Sequence, residues 1–170
     1  MKKLLAIMIV AIALALALAP VVTRADMDNP GTKVGFRGWG PRVGMSLNPD
    51  QVYFGAHLDF GNFAEHIRFQ PNVEIGFGDG VTLFAINAEA AYRFASRWDV
   101  WTPYLGGGIG ANIVSVNGSG KGGSNTDFGA SILGGIEKGL ANGSRFFIEA
   151  KLGLADAPDL KLGVGWTFYH

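Results

Sequence analysis

The chain has no cysteine. That absence excludes a disulfide framework, a thiolate metal site, a cysteine nucleophile and a lipid-modified N-terminal cysteine. Charge is scarce as well, at 16% of 170 residues, where a soluble surface typically carries about 25–35%. The formal net charge is zero, so no basic excess points to nucleic acid. No helical period of any length follows residue 30. What the chain does have is apolar content, at 48%, and 26 glycines. Its length suits one domain with a real core.

The first 25 residues read as an address. Met1-Lys2-Lys3 is a short basic start, and Leu4 to Ala19 is apolar throughout. Thr23-Arg24-Ala25 places small residues at −3 and −1 of a cleavage point before Asp26. This is the pattern of a secretory signal peptide. The competing reading is a retained membrane helix, for which Leu4 to Val22 is just long enough. Cleavage after Ala25 leaves a domain of residues 26–170 with 11 basic and 14 acidic residues. An exported chain without cysteine fits a bacterial envelope protein whose fold needs no disulfide.

Eight strand-like runs follow, at about 33–47, 51–60, 67–78, 81–95, 101–116, 126–138, 145–154 and 159–169. Turn-forming residues separate them, among them Asn48-Pro49-Asp50, Gly61-Asn62, Asp79-Gly80 and Asn117 to Asn125. Successive side chains of a strand point to opposite faces. In 51–60 the face Val52, Phe54, Ala56, Leu58, Phe60 opposes Gln51, Tyr53, Gly55, His57, Asp59. In 145–154 the face Phe146, Ile148, Ala150, Leu152, Leu154 opposes Arg145, Phe147, Glu149, Lys151, Gly153. The runs at 81–95, 101–116 and 126–138 alternate less cleanly. From the second run to the eighth the apolar face is read as free of charge. In the first run Trp39-Gly40-Pro41 breaks the phase, as a bulge or bend would.

Three observations turn the apolar face outward. Twelve aromatic rings on that face would overfill a small barrel, which only just holds its own side chains. Ten glycines lie instead on the polar face, where a narrow lumen needs room beside long side chains. The polar face also balances its charge: Asp59, Glu74, Glu89, Asp127, Glu137 and Glu149 against Arg42, Arg68, Arg93, Arg145, Lys151 and Lys161. Buried charges need partners, and equal numbers suit a closed, salt-bridged lumen. Finally, Phe60, Phe63, Phe94, Trp98, Trp101, Phe146, Trp166 and Phe168 gather at the end that carries both termini, as a membrane-interface girdle does. Closure would also pair every backbone group within the hydrocarbon. The expected fold is all-β: an eight-stranded antiparallel up-and-down transmembrane β-barrel.

The stretches Val52 to Phe60, Trp101-Thr-Pro-Tyr-Leu-Gly-Gly-Gly-Ile-Gly110 and the closing strand Leu160 to Tyr169 resemble the small outer-membrane β-barrel proteins of Gram-negative bacteria, the OmpX-like and opacity-type barrels. The resemblance covers essentially all of the mature region and marks architecture, not activity. The family's last strand usually ends on an aromatic residue; here the chain ends Tyr169-His170. The resemblance implies an outer-membrane location, lipids and lipopolysaccharide as surroundings, the barrel assembly machinery as a partner in biogenesis, and a monomer.

The motifs with chemical meaning are few. Gly118 to Ser124 is glycine-rich around Lys121, but its spacing is wrong for a phosphate loop and strands flank it. His57 shares a face with Asp59, and Ser46 lies across the hairpin. A turn near Asn48-Pro49 sets residue 57 opposite residue 42 and Ser46 opposite 52 or 53, too far apart for proton transfer. The His-x-Ser arrangement of known outer-membrane deacylases is absent. Asp156 and Asp159 are too few for a calcium site. Asn117-Gly-Ser119 and Asn142-Gly-Ser144 read as turns. No catalytic residue, metal or cofactor is expected. The polar network of Arg42, His57, Asp59, Arg68, Glu74, Glu89, Arg93, Asp127, Glu137, Glu149, Lys151 and Lys161 is read as structural. The function expected is a structural or surface-interaction role with a largely closed lumen. The alternatives are a narrow pore for small solutes, a soluble periplasmic lipocalin-like carrier and an outer-membrane lipid-modifying enzyme.

Overall fold

The structure is a computed structural model and describes residues 33–78, 80–96, 98–116, 124–154 and 158–169. The expected signal segment, Asp79 of one hairpin, most of the 117–125 loop and Asp156 lie outside the described residues.

Nine strands form one antiparallel sheet that closes on itself. They are β1 (Lys33–Leu47), β2 (Gln51–Ala64), β3 (Ile67–Phe69), β4 (Asn72–Gly78), β5 (Val81–Arg93), β6 (Thr102–Val116), β7 (Ser124–Gly139), β8 (Arg145–Gly153) and β9 (Leu160–Tyr169). Consecutive strands pair in turn, except that β3 and β4 each pair with β2 and β5, and β9 returns to pair with β1. β3 and β4 together make one stave between β2 and β5, so the closed barrel has eight staves. The interruption falls at Gln70-Pro71, where proline offers no N–H. Its carbonyl is still used, accepting from the Leu58 N–H at 2.9 Å, and the Gln70 N–H donates to Glu89 O at 2.8 Å. Following paired residues once round the barrel from Gly38 leads back to Asn48, a stagger of about ten residues. A stagger of this size tilts the strands steeply, by roughly 35–45° to the axis.

Most strand ends fall within two residues of the sequence reading; one strand runs on further, and one irregularity is displaced. β2 runs on to Ala64 rather than stopping at Phe60. Gly61 takes a positive φ of 71° and a register irregularity follows between Asn62 and Ala64, so the glycine bends the strand without ending it. In β1 the irregularity lies between Val34 and Gly38, upstream of Trp39-Gly40-Pro41, through which the pairing with β2 continues.

The two faces separate as the alternation requires. Outward are Phe54, Leu58, Phe77, Phe84, Ile86, Ile109, Phe128, Ile132, Ile148 and Leu152, all exposed. Inward are the buried Arg42, Asp59, Arg68, Glu74, Glu89, Glu137, Glu149, Lys151 and Lys161. One strand charge breaks the reading of an uncharged apolar face. Lys138 follows Ile132, Gly134 and Ile136 on the outward face of β7, at its last turn before the terminus-side rim. That rim carries the girdle: Trp39 with Phe168, Phe36 with Phe60, Tyr92 with Phe94, and Phe146 between Trp101 and Trp166. Phe146 is itself buried there, under its two tryptophans and Leu140.

Candidate functional site: the lumen

The lumen is filled by three layers of side chains. The layer nearer the loops holds three carboxylates and three cations. Arg42 Nη1 lies 3.1 Å from Glu74 and 3.4 Å from Glu89, and its Nη2 lies 3.7 Å from Glu149. One guanidinium on β1 thus reaches β4, β5 and β8. Lys151 Nζ contacts Glu74 at 3.1 Å, Glu89 at 2.5 Å and Glu149 at 3.6 Å. Lys161 Nζ donates to Glu74 at 2.6 Å and sits 5.0 Å from the Tyr53 ring centre. Lys151 and Lys161 are direct partners across β8 and β9, an arrangement that repels unless acids intervene. Glu74 takes both ammonium groups. A polar pocket opens between this layer and the loop side, lined by Asn87, Glu89, Asn112, Ser131, Lys151 and Lys161. Its volume of about 30 Å³ is water-sized.

The middle layer is apolar and aromatic. Ala91, Leu133, Tyr104 and Phe147 form one buried cluster. His57 stands edge-on to Phe147 at 5.4 Å, and its Nε2 is 2.9 Å from Thr167 Oγ1. Tyr104 O–H donates to Glu149 at 2.9 Å, tying this layer to the one above. Glycines on β9 make room for rings from β8 and β2. A Cβ on Gly165 would stand 2.4 Å from Phe147, and one on Gly163 would stand 2.2 Å from the Tyr53 hydroxyl.

The terminus-side layer converges on one acid. Glu137 takes Arg68 Nη1 at 2.5 Å and Arg93 Nε at 2.6 Å, with Arg145 Nε at 3.5 Å. Asp59 accepts from the Tyr169 hydroxyl at 2.9 Å and from the Gly61 N–H at 2.7 Å, and lies 3.5 Å from Arg145 Nη1.

The twelve residues of the expected network therefore divide. Eleven line the filled lumen: six in the loop-side layer, His57 in the middle, and Asp59, Arg68, Arg93 and Glu137 on the terminus side. Asp127 stands apart. Its carboxylate accepts from Asn125 Nδ2 at 2.6 Å in an exposed stretch of β7 near the loop end, where water can solvate it. His57 pairs with Gly40 rather than residue 42, and Ser46 with Gln51, because the turn between Leu47 and Gln51 is tight. Ser46 donates its hydroxyl to Pro49 O at 2.9 Å. His57 and Ser46 are not brought together. Among the described residues no group of His, Asp and Glu is arranged to hold a metal ion. Asn142 Oδ1 accepts from both Ser144 N and Oγ, which makes that sequon a turn.

The polar network expected from the sequence leaves out the uncharged residues of the lumen: Tyr53, Tyr104, Leu133, Phe147, Thr167 and Tyr169. Parity alone marks them, since each lies on the polar face. Leu83 and Leu133 are buried and inward-facing, which is why the alternation of β5 and β7 looks imperfect.

An eight-staved closed barrel with an apolar exterior and an ionic lumen defines the fold as that of a small outer-membrane-type β-barrel. The chain is similar to the N-terminal β-barrel domain of Pseudomonas aeruginosa OprF, with a TM-score of 0.63 at 14% identity over 81% of this chain and 98% of that one. It is similar also to Neisserial surface protein A, with a TM-score of 0.64 at 14% identity over 79% and 96%. No protein-family model matches the sequence, and no curated protein matches it significantly.

Proposed function

We propose that the chain is an integral outer-membrane protein, exported through a signal peptide at 1–25, whose barrel is closed by its own side chains. Its role is then structural or surface-interacting, with the loops of the β1–β2, β4–β5, β6–β7 and β8–β9 connections outside the cell. The surroundings it fits are outer-membrane lipids and lipopolysaccharide, and the barrel assembly machinery would insert it as a monomer. The observation that carries the closed-barrel reading is Arg42, which crosses the lumen to acids on three other staves. A solute would have to break that buried cluster to pass. The apolar exterior and the aromatic rim support the membrane setting, and a carrier would need an apolar cavity where the ionic layers stand.

Fractionation of expressing cells, with gel electrophoresis before and after boiling, tests the setting. An outer-membrane band whose mobility shifts on heating is expected. Release by osmotic shock without detergent would instead make the protein a soluble carrier. Planar bilayers test closure: the purified barrel is expected to leave the baseline current unchanged, and discrete, reproducible channel steps would make it a pore. Altered lipid A on overexpression would point to an enzyme, although the separation of His57 from Ser46 gives that chemistry no visible centre.

A further inference from the structure

The inward-facing strand cations Arg42, Arg68, Arg93, Arg145, Lys151 and Lys161 all have acidic partners in the lumen. Lys138 is different. It lies on the outward face, and among the described residues no carboxylate pairs with it. Its Nζ stands 4.9 Å over the Trp101 ring. Lys138 is the cross-strand partner of Phe146, and Phe146 of Trp166. On its other side the pairing of Thr102 with Glu137 sets Trp101 next in line. Trp101, Lys138, Phe146 and Trp166 therefore form one row at the terminus-side rim, a single ammonium set among three rings. The rings pack at 6.2 Å (Trp101–Phe146) and 4.9 Å (Phe146–Trp166), and the Trp98–Trp101 backbone bonds at 2.8 and 3.0 Å fix the first of them.

An ammonium on an apolar wall is stable where it reaches the interface and finds a counter-charge. Above Lys138 the wall is aliphatic: Ile136 faces Ile148, and Ile132 faces Leu152. We propose that this row is a binding site for the headgroup of an anionic phospholipid in the leaflet at the terminus side. Lys138 takes the phosphate, the tryptophans flank the glycerol region, and the acyl chains run along Ile136, Ile148, Ile132 and Leu152. A zwitterionic lipid offers the same phosphate but brings its own cation beside Lys138, so net charge sets the preference. The inference rests on the membrane-embedded reading above.

The test uses tryptophan quenching in reconstituted vesicles. W39F and W98F substitutions leave Trp101 and Trp166 as reporters. Vesicles mix phosphatidylglycerol with phosphatidylcholine, and one or the other lipid carries brominated acyl chains. Phosphatidylglycerol is expected to compete for the site about fivefold better, the ratio one ammonium near a charged headgroup supports. The preference should fall to near one in K138Q and survive in K138R, with the heat-shifted gel band confirming that both variants fold. Equal quenching by both lipids, or a preference that persists in K138Q, would overturn the site while leaving the barrel in the membrane. No quenching by either lipid would overturn the membrane-embedded reading itself.

Discussion

The two ionic layers of the lumen solve the same problem in different ways. The loop-side layer is distributed: three acids and three cations share contacts, and Arg42 and Lys151 each touch all three acids. The terminus-side layer is centred: three guanidiniums converge on Glu137, while Asp59 takes a long contact from Arg145, a tyrosine hydroxyl and the Gly61 N–H. A distributed cluster can lose one member and rearrange around the others. A centred one cannot, because the loss of its hub leaves several charges buried together. Redundancy, rather than the number of ion pairs, then decides how much each residue matters.

The sharpest way to break the comparison is to neutralise the hub. Glu137→Gln leaves Arg68, Arg93 and Arg145 around an amide, and removing one partner of a buried ionic cluster costs about 3–5 kcal/mol. The unfolding midpoint in urea, measured in lipid vesicles, should fall accordingly. Glu74→Gln makes the matching change in the other layer. Glu89 and Glu149 remain for Arg42 and Lys151, and Lys161 loses its charged acceptor. A loss of about 1.5–3 kcal/mol is expected, the scale of a hydrogen bond to a charged group. Equal losses for the two variants would remove the distinction between hub and shared network.

The middle layer offers a smaller probe that is steric rather than electrostatic. Gly165→Ala puts a methyl group 2.4 Å from the Phe147 ring. The ring must shift against His57 and the rest of its cluster, and overpacking of this kind costs about 1–2 kcal/mol. The same midpoint measurement checks it, and Phe147→Leu in the Gly165→Ala background should recover part of the loss by vacating the ring's edge. If the double variant is no better than the single, the contact between stave and ring is not what limits the site.

The barrel was legible in the sequence because its determinants are local. Alternation with period two, turn residues at intervals and glycines on one face each act over a few residues, and together they gave the number of staves and the direction of the faces. The membership of the lumen layers was less legible. Parity told which side chains point inward, but not which share a level, since level depends on the stagger around the barrel. That stagger is set by all the pairings at once. It brings Arg42 beside Glu149, 107 positions on, and it leaves Asp127, of the same parity and charge as its neighbours in the list of acids, beyond the loop-side layer near the open end. The charge balance read from the sequence counted Asp127 among the lumen acids for that reason. Lys138 was missed for the opposite one: it ends an otherwise apolar run, and only the row of Trp101, Phe146 and Trp166 beside it gives it a setting.

Asp127 supplies the smallest effect and the control for the rest. Its partner is Asn125, two residues away in the same strand, in an exposed stretch where water competes for both side chains. Asp127→Asn keeps the size and removes the charge, so it should shift stability by no more than about 0.5 kcal/mol, the scale of an ordinary surface change. Glu89→Gln has the same nominal position in a polar face and should cost several times as much, because Lys151 and Arg42 lose an acceptor in the buried cluster. Measuring the two side by side separates inward parity from membership of a layer. A loss at Asp127 comparable with that at Glu89 would mean that the loop-side layer extends to the mouth of the barrel and that its redundancy draws on a fourth acid.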